Sequence, residues 1–206
     1  MNHLRRAYLA SLVCLAGATV QIIYGLVATQ FHFWENGNEW MEALWAAANV
    51  GIIGGALGLL ALDVARPRWL AALGAAISVL GNLIRIVASA LIITGAGADV
   101  YTPVLLSSIP LMMLGMGSLG VAMLLGKQIQ GWRAWTPLLA VAFSILTAST
   151  YSINLYLHGI MLGLWGIPWM LVGYVVFTHA VSRRQTVSGQ VSRTTPEQGA
   201  RGIQLH

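Results

Sequence analysis

Arg85 lies inside an apolar run that extends from Trp69 to Thr94, and it is the only one of the eleven Lys and Arg residues placed this way. An arginine at the centre of a membrane helix costs about 2.5 to 3.5 kcal/mol on insertion scales, so it turns toward protein or water and takes a partner. Ser78, Asn82 and Ser89 stand four, three or seven positions from it or from one another, which aligns all four along one helical face. Counting from Thr94, the guanidinium is about 13 Å deep at 1.5 Å per residue. Glu42 opens the preceding apolar run on the same side and is its natural counter-charge, with Glu39 as second choice. A buried guanidinium beside an amide is suited to holding an anionic group.

Other polar residues fall at helical spacing. Ser144, Thr147, Tyr151 and Asn154 share a face of the fifth apolar run, Gln21 and Tyr24 belong to the first, Asn49 follows Glu42 by seven residues, and His158 starts the sixth. The expected ligand-binding set is Arg85, Asn82, Glu42, Tyr151, Asn154 and His158, gathered in the outer half of the bilayer. His158 is a residue type that gains or loses a proton near neutral pH. An enzyme acting on a lipid or isoprenoid could use it as base and Glu42 as proton donor. Burial favours a protonated carboxyl while a neighbouring Arg85 opposes it, and that conflict weighs against the enzyme. The bland alternative is architectural: Arg85 and Glu42 only lock two helices, or Arg85 snorkels to the headgroups.

No His, Cys and carboxylate spacing fits a metal site, and no cofactor is expected. The string Gly115-Met-Gly117-Ser-Leu-Gly120 matches a dinucleotide fingerprint in letters only, because no strand precedes it. Cys14 is the single cysteine, which excludes an internal disulfide.

The elements that must carry these residues are membrane helices. Of the 206 residues, 57% are hydrophobic and 8% charged, with a mean hydropathy of +0.74, against roughly 25% charged in a soluble domain. Runs long enough for a hydrocarbon core of about 30 Å predict six helices: Ala7 to Gln30, Met41 to Leu62, Trp69 to Thr94, Pro103 to Gly126, Ala134 to Asn154 and Leu157 to Val181. The fold class is thus an all-α six-span bundle over 1–181. The polar tail, 182–206, is expected to be disordered and cytoplasmic.

Arg5, Arg6, Arg66, Arg68, Lys127, Arg133, Arg183, Arg184, Arg193 and Arg201 share one side of that arrangement, and the opposite loops carry no Lys or Arg. Positive charge stays on the cytoplasmic side, so both termini are expected inside and the cell membrane is the expected location. Phe31, Phe33, Trp34, Trp40, Tyr101 and Tyr156 mark the outer border; Tyr8, Trp69, Trp132 and Trp135 mark the inner one. A cleaved signal peptide ending near Ala18 is the competing reading of the first run, but the apolar stretch continues through Leu26. The net charge of +5 sits in loops and tails, which does not suit nucleic acid.

Two patterns concern packing. Trp69, Leu73, Ala76, Ser78 and Leu80 match Trp135, Leu139, Ala142, Ser144 and Leu146, and Ile109-Pro110 recurs as Ile167-Pro168, so helices three and four read as a duplicate of five and six. Gly51 with Gly55, Gly54 with Gly58 and Gly159 with Gly163 are in GxxxG register. They are expected to pack within the bundle, ahead of a partner helix or homo-oligomer. Pro110 and Pro168 free the carbonyls of Leu106 and Leu164 and are expected to bend their helices.

The helix-pair layout, the Trp132-Arg-Ala-Trp-Thr-Pro137 entry and the Gly166-Ile-Pro-Trp169 string resemble uncharacterised six-helix bacterial membrane proteins. The resemblance covers most of the chain and implies no activity. Size and topology are also similar to vitamin-binding subunits of energy-coupling transporters, although the first helix lacks their AxxxA docking pattern. The leading expectation is binding or transport of a small or amphipathic, lipid-like ligand in an outer-half polar cavity. A non-catalytic subunit of a membrane complex is the second, and an intramembrane enzyme the third.

Overall fold

In lipid a backbone amide has no water to bond, so a chain of long apolar runs satisfies its amides internally as helices. The computed structural model describes residues 2–30, 39–151 and 153–194, and among them there are helices and turns with no strand. Six helical spans are long and apolar enough to cross a membrane. They are formed by α1 (Asn2–Gln30), α2 (Glu39–Ala61), α3 (Arg68–Ile93), α4 (Ala98–Gly126), α5 (Thr136–Tyr151), and the pair α6 (Leu155–Leu164) and α7 (Gly166–Thr194). A 3-10 turn, Gly131–Trp135, leads into α5. This is a multi-pass membrane protein.

Consecutive spans are neighbours, and α1 closes the ring by packing on α6 and α7, while α2 also touches α7. Large apolar side chains such as Leu26, Leu114, Leu125 and Ile153 point outward, which suits a surface facing hydrocarbon. Trp40 and Tyr156 are exposed at one end, and Trp69, Trp132 and Trp135 at the other. Phe31, Phe33 and Trp34, assigned to the outer border from sequence, lie outside the described residues.

Small residues set the closest approaches. A Cβ on Gly17 would collide with the Gly51 backbone, one on Gly25 with the Gly163 backbone, and one on Gly115 with the Ser78 backbone. Gly55 and Gly58 face Cys14 and Val176, and Gly159 faces Thr29. Each GxxxG pair therefore meets a helix of the same chain.

The boundaries differ from the sequence reading in three places. Helix α4 starts at Ala98, five residues before Pro103, because Gly97 is extended and precedes it while the helix accommodates Pro103 near its start. The sixth span has a one-residue break in its hydrogen-bond ladder at Trp165, where the carbonyl of Leu164 has lost its donor to Pro168, while the backbone stays helical at φ −61° and ψ −22° and the Trp165 amide still donates to the Met161 carbonyl at 2.9 Å. Helix α4 runs through Pro110 without interruption, so the two matched prolines have different outcomes. Helix α7 continues to Thr194, into the segment read as a polar tail. Extending an existing helix gains one hydrogen bond per residue fixed, and Arg183 anchors the extension by donating to the Leu62 carbonyl at 3.1 Å. Residues 195–206 lie outside the described ones. Gly115, six residues after Ile109, meets α3, and Gly173, six residues after Ile167, meets Leu15 of α1.

Candidate functional site at Arg85

Helices α2 and α3 form an antiparallel hairpin, and two side-chain contacts fix its register. The Ser89 hydroxyl donates to Glu42 Oε2 at 2.8 Å, and the Arg85 guanidinium carbon stands 4.8 Å over the Trp45 ring. One helical turn further along, that register sets Asn82 level with Asn49. Arg85 Nη2 lies 3.7 Å from Glu42 Oε2, with side-chain exposures of 9% and 10%. The charge partner expected from sequence is therefore in place. Glu42 belongs to the first turn of α2, where the helix dipole also favours a negative charge.

Aromatic rings enclose the pair. Tyr24 of α1 meets Trp45 edge-on at 4.6 Å, Trp45 stacks on Trp165 at 6.1 Å, and Trp165 meets Trp169 edge-on at 6.3 Å. Trp165 is the residue at the break in the sixth span, and its indole donates to the Ala140 carbonyl at 3.2 Å. The break is bound to α1 as well, because the Gln21 amide donates to the Leu162 carbonyl at 2.9 Å.

Below the ion pair, the buried polar atoms are only half used. The Asn82 and Asn49 amides donate to carbonyls of their own helices, Ser78 and Trp45, at 2.7 Å each. Their Oδ1 atoms, Gln21 Oε1, Ser78 Oγ, Arg85 Nη1 and the indole nitrogens of Trp45 and Trp169 are buried with no hydrogen-bond partner among the described residues. An unpartnered buried polar atom costs about 1 to 3 kcal/mol, more when charged, so a set of such atoms calls for an explanation.

The structure divides the six residues expected from sequence into two groups. Arg85, Asn82 and Glu42 come together on α2 and α3. Tyr151 and His158 belong to α5 and α6, whose main neighbours are α1, α4 and α7, with α3 packed on α2 and α4. His158 Nδ1 is 2.9 Å from the Thr147 carbonyl and its ring is 5.2 Å from that of Tyr151. Asn154 caps α6 by accepting from the Leu157 amide at 3.1 Å, a structural job. Sequence reasoning missed Trp45 and Trp165 as parts of the site. Trp45 had a signal, since it follows Glu42 by three positions and so shares its face.

At the other end of α2 and α3, Asp63 occupies a left-handed turn at φ 55°. It accepts from Arg68 Nε at 2.8 Å, from Arg68 Nη2, and from Arg66 Nη2 at 3.1 Å. The bond from Arg68, aided by the charge of Arg66, holds its carboxyl below the usual carboxylate range. Among the described residues no group of three or more His, Cys, Asp or Glu is placed to hold a metal ion.

No family model, curated protein or solved structure matches this chain. The site's chemistry therefore rests on its own residues.

Proposed function

We propose that this membrane protein binds a small organic anion at Arg85, as a carrier or as the binding subunit of a transporter. In this reading both termini are cytoplasmic and Arg85 lies in the outer half of the bilayer. The observation that carries it is the divided guanidinium: Nη2 faces Glu42, while Nη1 is buried without a hydrogen-bond partner among the described residues, as are the Oδ1 atoms of Asn82 and Asn49. A pair that served only to join two helices would gain by having all its donors satisfied.

The unpartnered atoms suggest the ligand's chemistry. Arg85 Nη1 and Trp45 Nε1 are donors suited to a carboxylate, and the Oδ1 atoms of Asn82 and Asn49 are acceptors suited to a hydroxyl. A small hydroxy-monocarboxylate meets both requirements. Entry requires Trp45 to move together with the Trp165 ring stacked on it.

A structural lock is the second reading, favoured by the closure of the pair under Ser89 and Trp45. The enzyme reading has less support: Glu42 is held by Arg85 and Ser89, and His158 is bonded to Thr147 on another part of the bundle. Untargeted mass spectrometry of small molecules released from the purified wild type and from Arg85→Gln tests the proposal. Enrichment of an organic acid on the wild type alone is the expected result. Identical profiles, together with a folding defect repaired by the double swap Arg85→Glu, Glu42→Arg, would establish the lock instead.

A further inference from the structure

The Arg85 and Glu42 charges cancel, and both side chains are about nine-tenths buried. Adding a monoanion to Arg85 would leave two negative charges sharing one guanidinium in a medium where an uncompensated charge is expensive. Resting on the anion-binding reading above, we infer that each anion bound at Arg85 is accompanied by one proton taken up by Glu42.

The exchange balances in atoms and charge. A proton from the aqueous phase at the start of α2 bonds to a Glu42 carboxylate oxygen. Arg85 Nη1 donates to the incoming carboxylate, Nη2 turns from Glu42 Oε2 to the same anion, and the site is neutral before and after. Ser89 accommodates both states: its hydroxyl donates to Oε2 when Glu42 is charged, and the same oxygen can accept from the protonated acid. Position favours the exchange too, since Glu42 is in the first turn of α2 and Glu39, one turn earlier, is exposed.

The charged and titratable groups facing Glu42 are few. Arg85 approaches from α3, and Tyr24 from α1 lies within electrostatic reach of both charges. A phenol does not titrate near neutral pH. Trp165 and Trp169, flanking Trp45 from the sixth span, bring no titratable group. Glu39 is the remaining carboxylate on α2, and His32 and Glu35 lie outside the described residues.

Calorimetry on the full chain in phosphatidylcholine nanodiscs, with lactate as probe and buffers of different protonation enthalpy, counts the protons directly. The expected result is about one proton per lactate, with affinity weakening about tenfold for each pH unit of increase, because binding takes up a proton. Glu42→Gln, a neutral stand-in for the protonated acid, is expected to bind lactate more tightly than wild type at alkaline pH, with no proton uptake and no pH slope. Lactate binding by the wild type with no proton uptake would overturn the coupling and leave anion binding standing. Wild type binding no more lactate than Arg85→Gln at any pH would overturn anion binding and the coupling with it. The wild-type proton count decides between these outcomes even if Glu42→Gln fails to fold.

Discussion

Ser89 and Glu42 are 47 positions apart in sequence and joined by a 2.8 Å hydrogen bond inside the bundle. The bond fixes α3 against α2, and it brings Arg85 to the carboxylate and Asn82 level with Asn49. Ser89→Ala is expected to cost about 1.5 to 3 kcal/mol, the range for a hydrogen bond to a charged group. Thermal unfolding in detergent reads this as a lowered midpoint, and an unchanged midpoint would count against the proposed register.

Arg85→Gln is expected to weaken binding of a small hydroxy-monocarboxylate by about 2 kcal/mol or more, roughly thirtyfold, since it removes a buried charged donor. Folded yield is expected to persist, because close helix packing at pairs such as Gly17 with Gly51 and Gly115 with Ser78 holds the bundle independently of the ion pair. Size-exclusion profiles alongside the binding measurement separate the two effects. A collapsed profile restored by the charge swap would show the pair to be a lock.

Two glycines of one string make a packing test. Gly115→Ala places a methyl on the Ser78 backbone and must push α3 and α4 apart, whereas a Cβ on Gly117 meets nothing within 4 Å. Gly115→Ala is expected to destabilise, and Gly117→Ala to be neutral or to stabilise by up to about 1 kcal/mol through helix propensity. Similar melting points for the two variants would contradict the α3 and α4 contact.

Asp63 gives a pH prediction with a definite sign. Its folded carboxyl is held below the usual range by Arg68 and Arg66, so its stabilising contribution is complete above the unfolded value of about 3.9 and is lost as pH falls through the lowered folded value. The side chain is 41% exposed, and solvent screening keeps the effect small. Melting curves recorded from about pH 5 downward should converge for wild type and Asp63→Asn as acid removes the wild-type advantage. Parallel curves would exclude this contribution.

The spans and the charge pair were legible in the sequence because each follows from a cost paid at one place: apolar length against bilayer thickness, and a buried guanidinium against its need for a partner. The break at Trp165 was half legible. Pro168 marked the freed Leu164 carbonyl, yet Pro110 carries the same signature in an unbroken α4, and the outcome depends on neighbours such as Gln21, which bonds the Leu162 carbonyl. Spacing could not say whether Tyr151 and His158 share a site with Arg85, since helical periodicity orders residues on one helix and is silent about which helices meet. Trp45 read as an apolar residue, and only the hairpin register reveals its ring packed against the Arg85 guanidinium.

The central claim is that the Arg85 guanidinium itself meets the ligand. Nitrogen-15 NMR of arginine-labelled protein, with the Arg85 side-chain signals assigned by their loss in Arg85→Lys, tests it directly. Lactate titration is predicted to shift the Arg85 Nη signals while those of Arg5 and Arg68 stay in place. Arg85 signals that remain unmoved while lactate demonstrably binds would contradict it.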